Sequence, residues 1–222
     1  MYKIDLHVHT RYSVDSTISP DEIIHYCKIK NLDGIAITDH NTVEGFKAIG
    51  KIIEKSGLVV IPGEEISTSQ GHLIALFINQ KIERGIGYIE SIKRIHALGG
   101  IAIAPHPFRA PHKVYKKELL ENIDGIETIN GRSSNRENEK AKKLAKSLNV
   151  PSLGGSDSHN AQALGNAYTV IYSPSNSLDA IYNSILKGEC TSAGHGIAYY
   201  QKVPLWLGMA KKWVLRGGKV LL

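Results

Sequence analysis

The chain contains the stretch MYKIDLHVHT at residues 1–10, and the expectations for the fold start from it. Its apolar and β-branched residues predict a strand over Tyr2–Leu6. Alternate side chains of an extended strand share a face, so Asp5, His7 and His9 are expected to point the same way. Two imidazoles at the end of a strand can hold one metal ion. A single His-x-His pair is weak evidence, because a chain with ten histidines can contain such a pair by chance.

Short apolar runs alternate with helix-like segments along the rest of the chain. Ser19 followed by Pro20 predicts a helix start, since Ser is a favoured N-cap and Pro suits the first helical position. The further predicted strands are Gly34–Thr38, Leu58–Pro62, His72–Ile78, Ile101–Ala104, Asp124–Ile129, Pro151–Gly155 and Ala167–Tyr172. This alternation, with strands that are almost wholly apolar, predicts a parallel sheet covered by helices. A single-domain α/β barrel fits, although 222 residues are few for eight strand–helix units.

Composition excludes several other classes of protein. The chain is 42% hydrophobic and 22% charged, which is ordinary for a soluble globular domain. No apolar run approaches the roughly 20 residues of a membrane helix, and no secretion signal is recognisable, so we expect no stable membrane association. Only two cysteines occur, Cys27 and Cys190, which favours a reducing, cytoplasmic location.

The net charge of +6 comes mostly from one end of the chain. Residues 201–222 carry five basic residues and no acidic one, so the rest of the chain is close to neutral. The basic balance therefore does not by itself indicate a nucleic-acid-binding face. An apolar stripe with helical spacing runs from Trp206 to Trp213. We expect a barrel domain over residues 1–195 and a basic, aromatic segment over 196–222 that packs on the barrel or on a partner.

Histidines and carboxylates gather beside the ends of the predicted strands. These groups are His7 with His9, Asp39 with His40, Glu64 with Glu65, His72, His106, and Asp157 with His159. Active sites of parallel α/β sheets lie at the carboxyl ends of the strands. Imidazole and carboxylate together suit Zn, Mn or Fe. The candidate ligands are too many for one ion, so two or three divalent ions that share a carboxylate are expected. Such clusters activate water for attack on phosphorus.

The ordered motifs resemble those of the PHP family, the polymerase and histidinol phosphatase domains. They are DLHVHT (5–10), DSTISP (15–20), TDHNT (38–42), PGEE (62–65), GHLI (71–74), APHP (104–107) and SDSH (156–159). Residues 187–194 resemble the closing strand of the family. The resemblance implies a distorted (β/α)7 TIM-like barrel, a trinuclear metal site and phosphoesterase activity through a metal-bridging hydroxide.

The resemblance also implies which residues hold the metals. The first metal would be held by His7, His9, Glu65 and Asp157, the second by Glu65, His72 and His106, and the third by Asp15, His40 and His159. The residues of the first metal would carry the catalysis, with Glu65 as the bridge. Glu64 stays open as the ligand if the register shifts by one residue. Asp5 and Asp39 are expected to orient imidazoles.

The expected substrate is a small phosphomonoester or a nucleotide, with a short oligonucleotide end as a further possibility. Arg109 follows the APHP motif, and a guanidinium suits a phosphate, so Arg109 is expected to bind the substrate. Arg11 and Arg132 are weaker candidates for the same role. His195 stands between two glycines and is expected to contact the substrate or donate a proton. The sequence does not determine the oligomeric state.

Two other functions stay open at this stage. A PHP-type domain can act as a metal-stabilised regulatory or accessory domain without turnover. A similar barrel can also hydrolyse C–N or C–O bonds, but that class commonly has a carboxylated lysine at a strand end, and the strand ends predicted here offer no convincing one. A panel of phosphoesters with added manganese would separate the first alternative from an enzyme.

Overall fold

The strands and helices follow the predicted order closely. The computed structural model describes residues 1–111, 113–114 and 116–197. Within them the strands are β1 (Tyr2–Val8), β2 (Gly34–Ile37), β3 (Val59–Thr68), β4 (Gly71–Leu76), β5 (Ile101–Ala104), β6 (Gly125–Asn130), β7 (Ser152–Gly155), β8 (Ala167–Ile171) and β9 (Cys190–Gly194). The helices are α1 (Pro20–Lys30), α2 (Glu44–Glu54), α3 (Tyr88–Ala97), α4 (Asn135–Leu148) and α5 (Leu178–Leu186), with short 3-10 turns at Lys117–Leu119 and Ala161–Ala163.

The described residues bear on two further expectations. No helix among them is long and apolar enough to cross a lipid bilayer. The basic, aromatic segment lies outside the described residues from residue 198 onward, so its packing and the domain boundary at residue 195 stay predictions.

Two helices begin at a reciprocal cap that the local sequence dictates. The Ser19 side chain accepts the backbone N–H of Glu22, and the Glu22 carboxylate accepts the N–H of Ser19. Ser134 and Glu137 repeat this arrangement at the start of α4. The predicted start of α1 after Ser19 is therefore confirmed, because the cap needs only residues within one turn.

Within the described part of the chain, these nine strands form one mixed sheet in the order β7-β6-β5-β4-β3-β2-β1-β8-β9. Strands β1 to β3 are parallel, and so are β5 to β7. Strand β4 is antiparallel to both neighbours, and β8 is antiparallel to β1 and β9. The parallel prediction is thus wrong for β4 and β8. Only Ser69 and Gln70 join β3 to β4, and a two-residue loop permits an antiparallel hairpin but no crossover.

The sheet curls into a nearly closed barrel, which confirms the predicted TIM-like α/β class. The segment after β7 returns to β1: the N–H of Asp157 donates to the carbonyl of His7 at 2.8 Å, and the N–H of His9 donates to the carbonyl of Ser158 at 3.1 Å. Apolar side chains from most of the strands fill the centre, and two further clusters bury the helices against the outside. The carboxyl ends of the parallel strands therefore lie in a ring at one end of the barrel.

A bulge in β1 breaks the alternation of its side chains. The register with β2 shifts between Asp5 and Val8. Leu6 packs with Ile61 in the centre, whereas Val8 packs with Ile23 of α1 on the outside. Residues two apart therefore face opposite layers, which a regular strand does not allow.

The bulge also changes the role expected of Asp5. Its carboxylate accepts the backbone N–H of Ser156 at 2.8 Å, of Gly165 at 2.9 Å and of His7 at 3.2 Å. The expectation that Asp5 shares a face with His7 and orients an imidazole is therefore wrong. Asp5 instead fixes backbone segments of β1, of the loop after β7 and of the approach to β8.

Strand β3 is longer than the predicted Leu58–Pro62 segment and carries both candidate glutamates inside it. Hydrogen bonding to β4 extends it, which no local pattern announces. Neighbouring residues of a strand face opposite sides. Glu64 accordingly accepts the N–H of Ile82 at 2.6 Å, and Glu65 turns to the cluster of histidines. The structure thus separates the two candidate ligands.

Gly155 lies where β7 comes so close to β1 that a larger side chain has no room. A Cβ atom there would lie 2.4 Å from the Cβ of His7 and 2.7 Å from Oε1 of Glu127. We expect Gly155→Ala to lower the free energy of unfolding by about 1–3 kcal/mol through overpacking. Gly87→Ala is the control, because its Cβ would meet only the Gln70 side chain at 4.0 Å. Chemical denaturation measures both, and an equal small change in the two variants contradicts the prediction.

Candidate metal centre

The carboxyl edge of the barrel brings together all nine side chains predicted to bind metals. His7 lies in β1, His9 follows the last residue of that strand, and Glu65 lies in β3. His72 opens β4, but β4 runs the other way, so its start lies at the same edge. The remaining residues follow strands or lie in the loop after β1, and they are Asp15, His40, His106, Asp157 and His159. Their role as ligands stays a prediction.

Glu65 lies at the centre of this cluster and is buried. Its Oε1 lies 2.9 Å from Nδ1 of His72 and 3.1 Å from Nε2 of His106. Its Oε2 lies 3.2–3.4 Å from ring nitrogens of three more histidines, which are His7, His9 and His40. One carboxylate thus faces five imidazoles, the arrangement expected of a bridging ligand.

The donor atoms divide into four overlapping groups within the described residues. In each group the donor atoms all lie within 4.8 Å of one another. The groups are His9, Asp15, His40 and His159; His7, Glu65 and His106; His7, His9 and Asp157; and His40, Glu65 and His72. Their overlap is the geometry of several ions with shared ligands. The groups follow the expected division only in part, since His9 also joins Asp15 and His40 also joins Glu65.

The outer group reaches towards solvent. Asp15 Oδ2 lies 2.8 Å from Nε2 of His159 and 3.7 Å from Nε2 of His40, and the Asp15 side chain is 41% exposed. The two groups that contain His7 are buried. The cluster therefore runs from the barrel centre to an open rim, along which a substrate can approach.

Two ring nitrogens of the cluster have no hydrogen-bond partner, and two others lie against each other, which is the crowding that a shared cation would relieve. Nδ1 of His40 lies 3.2 Å from Oε2 of Glu65 but has no hydrogen-bond partner, and Nδ1 of His106 is buried and unpartnered as well. The Nε2 atoms of His7 and His9 are 3.1 Å apart. Buried polar atoms rarely stay unsatisfied. A donor set of imidazoles and carboxylates fits divalent transition metals.

The pKa shifts in the cluster also favour the binding of divalent metals. Burial and the neighbouring His159 hold the pKa of His9 well below its usual value, and burial with Arg109 lowers the pKa of His106 to about 3. Burial raises the pKa of Glu65, but the surrounding histidines more than offset it and hold that pKa well below its usual range. Neutral imidazoles and ionised carboxylates are the forms that bind metals.

The pKa of His7 is shifted in the opposite direction to that of His9 and His106. Burial lowers its pKa, but Asp157, Glu127 and Glu65 outweigh burial and hold the pKa well above its usual value. The potential at this point therefore favours positive charge. The same negative potential would stabilise a cation that is bound between His7 and these carboxylates.

Glu127 in β6 is a buried residue that sequence reasoning missed. Its carboxylate lies 3.0 Å from Nδ1 of His7, and it accepts the backbone N–H of His106 at 2.8 Å and the Asn130 amide at 2.9 Å. It therefore directs Nε2 of His7 into the cluster. The available signal was a run of polar residues, Glu127, Thr128 and Asn130, inside a strand that is buried throughout.

Two arginines lie against Asp157. Nη1 of Arg109 is 2.5 Å from Oδ2, and Nη1 of Arg132 is 3.4 Å from Oδ1. Asn130 Oδ1 accepts from Arg109 at 2.9 Å and from the backbone N–H of Arg132 at 2.9 Å. The structure thus brings Arg109 and the less favoured Arg132 to the cluster.

His195 reaches the same rim but not the cluster itself. It is exposed, its backbone N–H donates to Asn166, and its Nδ1 lies 3.1 Å from the carbonyl of Gly196. The next residue but one, Ile197, donates its N–H to Ser133, beside Arg132. Its contact with substrate stays a prediction.

The loops behind the cluster are fixed by short polar side chains. Asp39 accepts the backbone N–H of Thr10 at 2.6 Å and the Thr10 hydroxyl at 2.8 Å, so it anchors a loop rather than an imidazole. Ser13 Oγ lies 3.0 Å from Nδ1 of His9 and accepts the backbone N–H of His40 at 2.8 Å. The expectation that Asp39 orients a ring is thus wrong, and Ser13 does so for His9.

Fold and site together define an α/β barrel with a histidine–carboxylate cluster at its carboxyl edge. A family model described as PHP domain matches residues 5–135, and one described as PHP-associated matches residues 135–190. The chain belongs to the PHP domain family.

Known relatives and structures agree with this membership. An uncharacterized protein of Methanocaldococcus jannaschii is 37% identical over 139 residues, covering 58% of this chain and 81% of the relative. A 5'-3' exoribonuclease of Haemophilus influenzae is 28% identical over 131 residues, covering 57% of this chain and 45% of the relative. A two-domain protein of Bacteroides vulgatus containing a predicted PHP-like metal-dependent phosphoesterase superimposes with a TM-score of 0.75 at 20% identity, over 87% of this chain and 65% of that chain. At 20% identity, the similarity to the Bacteroides vulgatus protein shows a shared fold.

Glu127→Gln should weaken metal binding while leaving the barrel folded. The amide keeps the size but loses the charge that holds His7, and such supporting contacts usually contribute 10- to 100-fold in metal affinity. Calorimetric titration with manganese measures the change. Glu64→Gln is the matched control, since that carboxylate bonds to Ile82 away from the cluster. Equal losses in both variants, or none in Glu127→Gln, would refute the positioning role.

Proposed function

We propose that this chain is a metal-dependent phosphoesterase that hydrolyses a phosphomonoester, a nucleotide or the end of a short oligonucleotide. The observation that carries the proposal is the buried Glu65 carboxylate surrounded by five imidazoles, with two arginines beside the neighbouring Asp157. The donor set would hold two or three ions of Zn, Mn or Fe. Bound divalent ions of this kind lower the pKa of water towards 7 and neutralise phosphoryl oxygens.

The side chains of the chain have separable tasks in this proposal. The innermost ions would be held by His7, His9, Glu65 and Asp157, and the set would be completed by Asp15, His40, His72, His106 and His159. Glu127 holds the proton of His7 on Nδ1, so that Nε2 stays free to bind a metal. The mostly buried inner residues limit the access of bulk water, which strengthens every charge interaction there.

Arg109 and Arg132 are proposed to hold the phosphoryl group. Both guanidinium groups already lie beside a carboxylate, and two oxygens of a phosphate can accept the same paired hydrogen bonds with more charge. His195 lies on the same rim and is proposed to contact the substrate there. We also propose a cytoplasmic location, which the two free cysteines support.

Removal of the metals, or of one ligand, should abolish turnover. We expect a chelator to eliminate hydrolysis of a phosphoester panel and manganese to restore it. Asp157→Asn should lower turnover by roughly 10³-fold or more, as expected for a residue at the reacting centre. The matched control Asp179→Asn, in the exposed first turn of α5, should keep full activity. If Asp157→Asn still hydrolyses phosphoesters, the proposed mechanism is wrong. If the wild-type protein is folded and metal-loaded but inactive on every phosphoester, the accessory-domain alternative is supported.

Arg109→Ala should raise KM for a phosphomonoester and lower kcat/KM about 10- to 100-fold. A hydrogen bond to a charged group contributes roughly 1.5–3 kcal/mol, which sets this range. Arg94→Ala is the control, because Arg94 pairs with Glu90 on an exposed helix face. Steady-state kinetics with thermal melting of each variant separates binding from folding. Unchanged kinetics in Arg109→Ala would exclude the phosphate role.

A further inference from the structure

The loop between β1 and α1 exposes an aromatic and an aliphatic side chain beside the metal centre. Tyr12 is 38% exposed and Val14 is 75% exposed, whereas Ser13 between them is buried. This reverses the usual placement of apolar and small polar residues. The fold itself does not require it, because apolar surface left in water contributes nothing to stability. Exposed apolar side chains next to a site point to a ligand that covers them.

The loop is rigidly attached to the cluster. Ser13 Oγ contacts His9 and accepts from the His40 backbone, and Ser16 Oγ donates to the His9 carbonyl at 2.9 Å. The N–H of Arg11 donates to the carbonyl of Ile18 at 3.1 Å, which closes the loop at its base. Tyr12 is therefore held one residue from a side chain that touches a predicted metal ligand.

The charge around Tyr12 suits an anionic molecule with a flat ring. The Arg11 guanidinium lies 5.9 Å from the centroid of the Tyr12 ring, within the range of a cation–π contact. Asp15, the acid of this segment, is turned onto His159. Tyrosine faces flanked by arginine are surfaces on which nucleobases stack, independently of base identity.

We propose that Arg11, Tyr12 and Val14 form a platform on which a nucleobase of the substrate stacks while its phosphate lies at the metal centre. A nucleotide carries a phosphate and an aromatic ring one sugar apart, which matches a platform attached directly to a phosphate-binding cluster. The inference rests on the proposed function for the position of the phosphate, and it selects nucleotides and single-stranded ends over other phosphomonoesters.

Binding of two phosphorothioate oligomers in manganese buffer tests the platform without any need for turnover. One is an oligothymidylate, and the other is an abasic oligomer of the same length and charge. We expect Tyr12→Ala to weaken binding of the thymidylate roughly 5- to 100-fold, the range of one base–aromatic stack. Binding of the abasic oligomer should stay unchanged, and Tyr12→Phe should bind like the wild type. Fluorescence anisotropy measures all of these.

Tyr172→Ala is the matched control, because Tyr172 is 55% exposed and follows β8 at the opposite edge of the barrel. Equal weakening of both oligomers by Tyr12→Ala, no weakening at all, or a wild type that does not prefer the thymidylate would each overturn the platform. A base-selective loss in a protein that hydrolyses no phosphoester would keep the platform and reject the proposed function. In an active protein, Tyr12→Ala should raise KM for a 5'-nucleoside monophosphate and not for ribose 5-phosphate.

Discussion

One buried carboxylate constrains the whole carboxyl edge of the barrel. Glu65 lies within 3.4 Å of ring nitrogens from five histidines, and it is almost completely removed from solvent. A buried charge is tolerated only when opposite charge or hydrogen bonds surround it. The histidines supply this partly, but Nδ1 of His40 and Nδ1 of His106 have no hydrogen-bond partner. Bound cations would resolve both problems, which explains why five imidazoles from four separate parts of the chain converge on one point.

Two residues of the cluster have strained backbone conformations, and hydrogen bonds hold them in place. His106 and Asp157 have positive φ angles of 30° and 54°, in the left-handed region that residues other than glycine rarely occupy. Such conformations persist where surrounding contacts overdetermine them, and they gather at functional sites. Glu127 bonds to the His106 backbone, and the Asp157 backbone bonds to β1. The strained residues are thus held by hydrogen bonds, and the bond of Asp157 also helps to close the barrel.

Local sequence predicted the features that depend on a few neighbouring residues. The helix start at Ser19 followed from a cap within one turn, and the positions of His40 and His106 followed from apolar runs that end just before them. Predictions failed where a distant strand decided the outcome. Pairing with β4 lengthens β3, and the bulge in β1 places the Asp5 carboxylate and the His7 imidazole on different faces of the strand. Glu127 was missed for a similar reason, because its value lies in reaching a histidine 120 positions away in sequence.

The family, the alternation of strands and helices, and the chemical identity of the cluster can be read from the amino-acid sequence, because motif order and residue type are local properties. Tertiary structure alone decided how the ligands divide into overlapping groups, which glutamate of the Glu64–Glu65 pair faces the histidines, and that two arginines meet at Asp157. Those outcomes depend on strand register and on the closure of the sheet. Both arise from hydrogen bonds and packing between segments far apart in the chain, where a shift of one residue reverses the face of every side chain.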